Sequence, residues 1–100
     1  MQIKGCKGMK KKIVLSVEWP KVNLTATVTI MDGIAALKTS KVSETKRIYK
    51  AEKKTEKYCF WDDGQKAMVQ LFPEKDTEEI FEIIKEELLK NGARFRRTSV

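Results

Sequence analysis

The sequence predicts an α+β domain: an antiparallel β-meander of six to seven short strands, strongly curved or closed into a barrel, with one C-terminal α-helix. Three observations carry that expectation. From Ile13 to Ile30 apolar side chains recur at every second position, the repeat of a strand with one buried face. Asp32-Gly33 and Asp63-Gly64 are the dipeptides that tight hairpin turns select. Between Asp76 and Gly92 the apolar repeat lengthens to that of a helix.

Taken in order, residues 1–11 have no periodicity, and Gly5 and Gly8 flank Cys6-Lys7, so they form a loose basic arm. Ile13, Leu15, Val17 and Trp19 then share one strand face. Proline presets the first central dihedral of a turn, so Pro20-Lys21 is the expected two-residue connection, pairing Trp19 with Val22, Val17 with Leu24 and Leu15 with Ala26. Both apolar sets then fall on one side, and the threonine row Thr25, Thr27 and Thr29 faces water. Asp32-Gly33 returns the chain so that Ala35 meets Ile30 and Leu37 meets Val28.

Residues 39–57 admit two readings. The first is a hairpin of Arg47–Glu52 with Glu56–Asp62, turning near Lys53-Lys54 and placing Tyr49 opposite Tyr58. The second is a helix beginning after Ser40. Val42, Ile48 and Tyr49 make a narrow stripe for a long helix, so the strands are preferred. Asp63-Gly64 then pairs Phe60 with Ala67 and Tyr58 with Val69, and sends Ile48, Cys59, Trp61 and Met68 to the other face. That second apolar face calls for a cover: the helix, a barrel wall, another subunit or a ligand.

The C-terminal helix is the best-marked element. Asp76 and Glu79 have capping-box spacing, Ile80, Phe81, Ile84 and Leu88 form its stripe, and Asn91-Gly92 stops it. The predicted core is Leu15, Val17, Leu24, Val28, Leu37, Tyr58, Phe60, Val69, Ile80, Ile84 and Leu88. The organisation is thus an arm over 1–11, a single domain over 12–92 and a basic tail over 93–100. The order of elements resembles that of pleckstrin-homology-like barrels, and is similar to curved-sheet-plus-helix modules that bind single strands.

Charge is unevenly placed. The net charge is +7, and the two ends hold Lys4, Lys7, Lys10, Lys11 and Lys12, then Lys90, Arg94, Arg96 and Arg97, without an acid. The residues between carry 12 basic against 14 acidic groups, so the body is close to neutral.

The chain has no histidine, the commonest general base and metal ligand. Gly33 and Gly64 are hairpin glycines rather than a phosphate loop, and Asp62-Asp63 reads as turn chemistry. The two cysteines, Cys6 and Cys59, lack metal spacing and read as free thiols in a reducing cytoplasm. Lysines at the start are not followed by an apolar stretch of a secretory signal, and no apolar run has the ~18 residues of a membrane span. No catalytic, metal or cofactor site is expected.

Two functional expectations remain, both non-enzymatic. The first is nucleic-acid binding through Lys10, Lys11, Lys12, Arg47, Lys66, Arg94, Arg96 and Arg97, with Trp61 as a stacking platform. The second is a protein-interaction adaptor or inhibitor that buries Ile48, Cys59, Trp61 and Met68 against a partner or in a homodimer.

Overall fold

A computed structural model describes residues 11–54 and 58–99, and at Ser99 the backbone alone. The described chain is α+β: β1 (Ile13–Trp19), β2 (Leu24–Met31), β3 (Ile34–Thr39), α1 (Val42–Lys53), β4 (Cys59–Asp62), β5 (Ala67–Leu71), α2 (Thr77–Lys90) and β6 (Arg94–Ser99). The six strands form one antiparallel sheet in the order β4-β5-β3-β2-β1-β6. The sheet is open, with β4 and β6 as edges, so the barrel reading is corrected.

Two of the three hairpins are longer than expected. Between β1 and β2 a 3-10 turn over Pro20–Val22 is closed by Asn23 in the left-handed region (φ 52°). Trp19 therefore pairs with Leu24, Val17 with Ala26 and Leu15 with Val28, two residues along from the expected register. Between β4 and β5, the Asp62 carboxylate accepts from the amides of Gly64 (3.0 Å) and Gln65 (3.2 Å), and Lys66 takes the positive φ of 56°. That wider loop pairs Asp62 with Ala67 and Phe60 with Val69. Both slips are even, so every side chain keeps its expected face relative to its partner strand. Asp32-Gly33 is the tight turn expected of it, and Ile30 meets Ala35 and Val28 meets Leu37.

Residues 42–53 are a helix, and the preferred hairpin there is overturned. Lysine, glutamate, arginine and alanine favour a helix, and tertiary packing decides the rest. The N-cap, Lys41, supplies no side-chain cap. Instead the buried Thr45 hydroxyl bonds to that of Thr39 (2.8 Å) and accepts from the Thr39 amide (2.9 Å). The narrow stripe suffices because α1 covers only β3, β5 and β4.

The C-terminal segment is also corrected. Arg94–Ser99 is not a tail but a full edge strand on β1, pairing Phe95 with Val17 and Arg97 with Leu15. Before it, α2 has its capping box: the Asp76 carboxylate accepts from the Glu79 amide (2.9 Å), and the Glu79 carboxylate accepts from the Asp76 amide (3.0 Å). Gly92 (φ 76°) ends the helix, and the Ala93 amide donates to the Leu88 carbonyl.

Both helices lie on one face of the sheet. There Ile13, Leu15, Val17, Val28, Ile30 and Ala35 meet Ile80, Phe81 and Leu88 in the core. Phe95 joins them edge-on to Phe81. Ile84, Leu24 and Leu37 are only half-buried, and Tyr58 (48%) and Phe60 (41%) are exposed rather than core.

Glu78 ties the two ends of the chain to the first turn of α2. Its carboxylate meets Arg97 (2.6 Å) and Lys11, and Arg97 also lies over the Phe81 ring at 4.5 Å. Hydrogen bonds first from Arg97 and then from Lys11 hold its carboxyl down at about 2, against an ordinary 4.5.

Ile80→Ala should cost about 2–5 kcal/mol in urea denaturation, and Ile84→Ala measurably less, because only Ile80 is fully enclosed. A depressed carboxyl stabilises the fold above its unfolded pKa and ceases to do so as pH falls through its folded one. Glu78→Gln should therefore melt below the unsubstituted protein at pH 7, and the gap should close between pH 4.5 and about 2. A gap that persists at pH 2 would show that Glu78 acts by packing instead.

Candidate nucleic-acid interface

Because the helices share one face, the other face has no covering layer among the described residues. The register defines its surface as rows running across the strands. One row reads Phe60, Val69, Ala36, Thr29, Val14 and Thr98. Beside it, towards the β1–β2 turn, lie Lys38, Thr27, Ser16 and Arg96, then Thr25 and Glu18 with Arg94. On its other side lie Leu71, Ile34 and Met31, and the Leu71 amide donates to the Tyr58 carbonyl.

The face is thus divided. One corner is apolar, with exposed Tyr58, Phe60 and Leu71 next to half-buried Ile34 and Met31. The opposite corner is hydroxyl-rich and cationic, with a shallow depression over Ser16, Glu18, Thr25, Thr27 and Lys38. Arg94 there is paired with Glu18 (3.1 Å), whereas Arg96 and Lys38 make no ion pair among the described residues. The carboxylates of Glu78, Glu79, Glu82, Glu86 and Glu87 are all on α2, across the sheet.

The cations named from the sequence do not form one site. Lys10 lies outside the described residues. Lys11 and Arg97 meet at Glu78 on the helix side of the sheet, and Lys12 is exposed just before β1. Ile13 pairs with Ser99, so the described parts of both basic ends do adjoin at the β1–β6 edge. Arg47 is on α1, bound through Nε and Nη2 to Glu44. Lys66 is in the β4–β5 loop and paired with Asp63 (3.1 Å), whose carboxyl it holds below the usual range. Arg94 and Arg96, opposite Glu18 and Ser16, are the named cations whose strand positions face the open side among the described residues.

Trp61 is not an open platform. It is half-buried beneath α1, with Tyr49 at 5.9 Å between ring centroids and the Lys46 ammonium 5.4 Å from its ring centre. Its indole Nε1 is shielded from solvent. Ile48, Cys59, Trp61 and Met68 do come together as expected, but as the packing of α1 on the sheet: Cys59 and Met68 are buried. The apolar face left open is the one bearing Phe60. Tyr58, Phe60 and Lys38 were the residues sequence reasoning missed. The threonine row of β2 was the available signal, since it marks the wet face that they share.

Among the described residues no cluster of three or more His, Cys, Asp or Glu side chains is placed to hold a metal ion, and no helix is long and apolar enough to cross a membrane. With Trp19 replaced by phenylalanine, acrylamide should quench Trp61 fluorescence only partially, and Tyr49→Ala on α1 should increase that quenching. Quenching as complete as for free tryptophan would show α1 detached from β4. No protein-family model, curated protein or solved structure matches the chain.

Proposed function

We propose that the protein is a small, non-enzymatic binding module that lays a single-stranded nucleic acid across the open face of its sheet. One observation carries this: exposed aromatic rings, Tyr58 and Phe60, share an uncovered plane with Lys38, Arg94 and Arg96. Bases stack on rings without regard to sequence, for ~1–3 kcal/mol each, while cations take the phosphates. From β4 to β6 the face spans roughly 24 Å at the usual strand spacing, room for several nucleotides. The carboxylates of α2 lie behind the sheet, where they repel the strand least. A cytoplasmic compartment is the one we assign to this module.

A second reading is a protein partner or a homodimer seated on the same face. It is favoured by the contiguity of Tyr58, Phe60, Leu71, Ile34 and Met31, an apolar corner that a partner would cover.

Anisotropy titration of a labelled oligo(dT) across salt concentrations separates the two. The nucleic-acid reading expects log affinity to fall linearly with log salt. Arg94→Ala with Arg96→Ala should flatten that slope by about 1.4, near 0.7 per phosphate contact on a single strand. Phe60→Ala should weaken binding by about 1–3 kcal/mol while leaving the slope intact. Absence of binding at low salt, with a concentration-dependent dimer that Phe60→Asp dissociates, would transfer the face to the second reading.

A further inference from the structure

On the helix side of the sheet, α1 and α2 stand over different strands and leave a groove of about 490 Å³ between them. Its floor is Leu24, Leu37 and Met68, its walls are Ile48 on α1 and Ile84 on α2, and Trp19 closes one end. Most of these side chains are half-buried, so the groove is a concave apolar surface that the protein's own residues do not fill. Small-ligand sites have this volume and this apolar lining, with a few polar groups that fix orientation.

The polar groups here are specific. Gln70 points to the helix side from the middle of the floor, and its carboxamide makes no side-chain hydrogen bond among the described residues. It offers a donor and an acceptor to a ligand. On the rim, Arg47 is already neutralised by its two-pronged contact with Glu44. Opposite it, the Glu87 carboxylate has no ion-pair partner among the described residues. Among the described residues the rim therefore has no free cation to receive an anionic group, and two carboxylates, Glu52 and Glu87, to repel it. Two turns of a peptide helix, ~10 Å across, exceed the volume, which points to a small molecule.

We propose that this groove binds an uncharged, mainly aromatic or aliphatic small molecule carrying one hydrogen-bonding group, which Gln70 orients. The site is independent of the open face, since it lies on the other side of the sheet.

N-phenyl-1-naphthylamine and 8-anilinonaphthalene-1-sulfonate test it, because they share a skeleton and differ by a sulfonate. The neutral probe should brighten on binding at micromolar concentrations and bind several-fold tighter than the sulfonate. Ala51, exposed on α1 at the groove, can be enlarged without entering the core. Ala51→Phe should weaken the neutral probe at least tenfold with the melting midpoint kept, and Phe60→Ala, on the far face, should change nothing. No binding up to 100 µM of probe, equal affinity for both probes, or indifference to Ala51→Phe would overturn the proposal. So would loss of binding in Phe60→Ala. A dimer that Ala51→Phe dissociates would give the groove to a second copy of the chain and overturn it equally.

Discussion

The handedness of two crossover connections governs this molecule. All neighbouring strands are antiparallel in the order β4-β5-β3-β2-β1-β6, so β3 runs parallel to β4, and β5 parallel to β6. Each parallel pair is joined through a helix. The first connection steps across the sheet in one direction, and the second steps the other way from strands pointing the other way. Two such connections of the same hand place their helices on the same face, and nearly all are right-handed. Topology therefore stacks both helices on one side and strips the other. The exposed aromatics and the inter-helix groove are two results of that arrangement, one on each side of the sheet.

What sets the position of α2 on that face is the turn between β2 and β3. Asp32 Oδ1 accepts from the Thr77 amide (3.1 Å) and from the Thr77 hydroxyl (2.8 Å), and the Lys11 carbonyl oxygen lies 3.2 Å from the same hydroxyl. Gly33 bonds through its amide to Lys75 and through its carbonyl to Phe72. Its φ of 80° suits a residue without a side chain. The turn thus receives the loop before α2 and the first residue of the helix together. At the next residue, still in the first turn, Glu78 collects Lys11 and Arg97, in a position where the helix dipole also favours a carboxylate. Part of the basic charge at the chain ends is therefore structural: it holds β1 and β6 to the start of α2 rather than facing a ligand.

What could be read from the sequence divides along the range of the forces involved. The α2 capping box, its stop, the tight Asp32-Gly33 turn and the period-two faces are local, and the residues declare them. Register slips at the other two hairpins were illegible because the slip of two preserves every face, so the pattern is blind to it. Helix α1 begins on a hydroxyl network between Thr39 and Thr45 that depends on β3 being in place. Strand β6 has no apolar alternation of its own: Phe95 alone reaches the core, and Arg97 lies on the same face, spent on Glu78 and Phe81. Its partner, β1, lies almost the whole chain away, so no local signal could announce the pairing. These two elements decide which sheet face is covered, which is why the candidate aromatic site moved from Trp61 to Phe60.

Edge geometry narrows where a partner can sit. An unpaired strand edge invites another strand, and both edges here carry a feature that opposes it. In β4, Tyr58 turns its carbonyl towards β5 to accept from Leu71, so by the alternation of an antiparallel ladder Cys59 turns its carbonyl outward. The Lys53 ammonium at the end of α1 takes that outward oxygen at 2.8 Å. The edge is also only four residues long. At the other side β6 carries Arg94, Arg96 and Arg97 within six residues, and like charges brought together by edge-to-edge pairing of two copies would repel. Addition of a strand is disfavoured at β4, and pairing of two copies at β6. In the proposed reading recognition falls to surfaces rather than edges, and the face that joins rings to unpaired cations is the one whose chemistry suits a polyanion with bases.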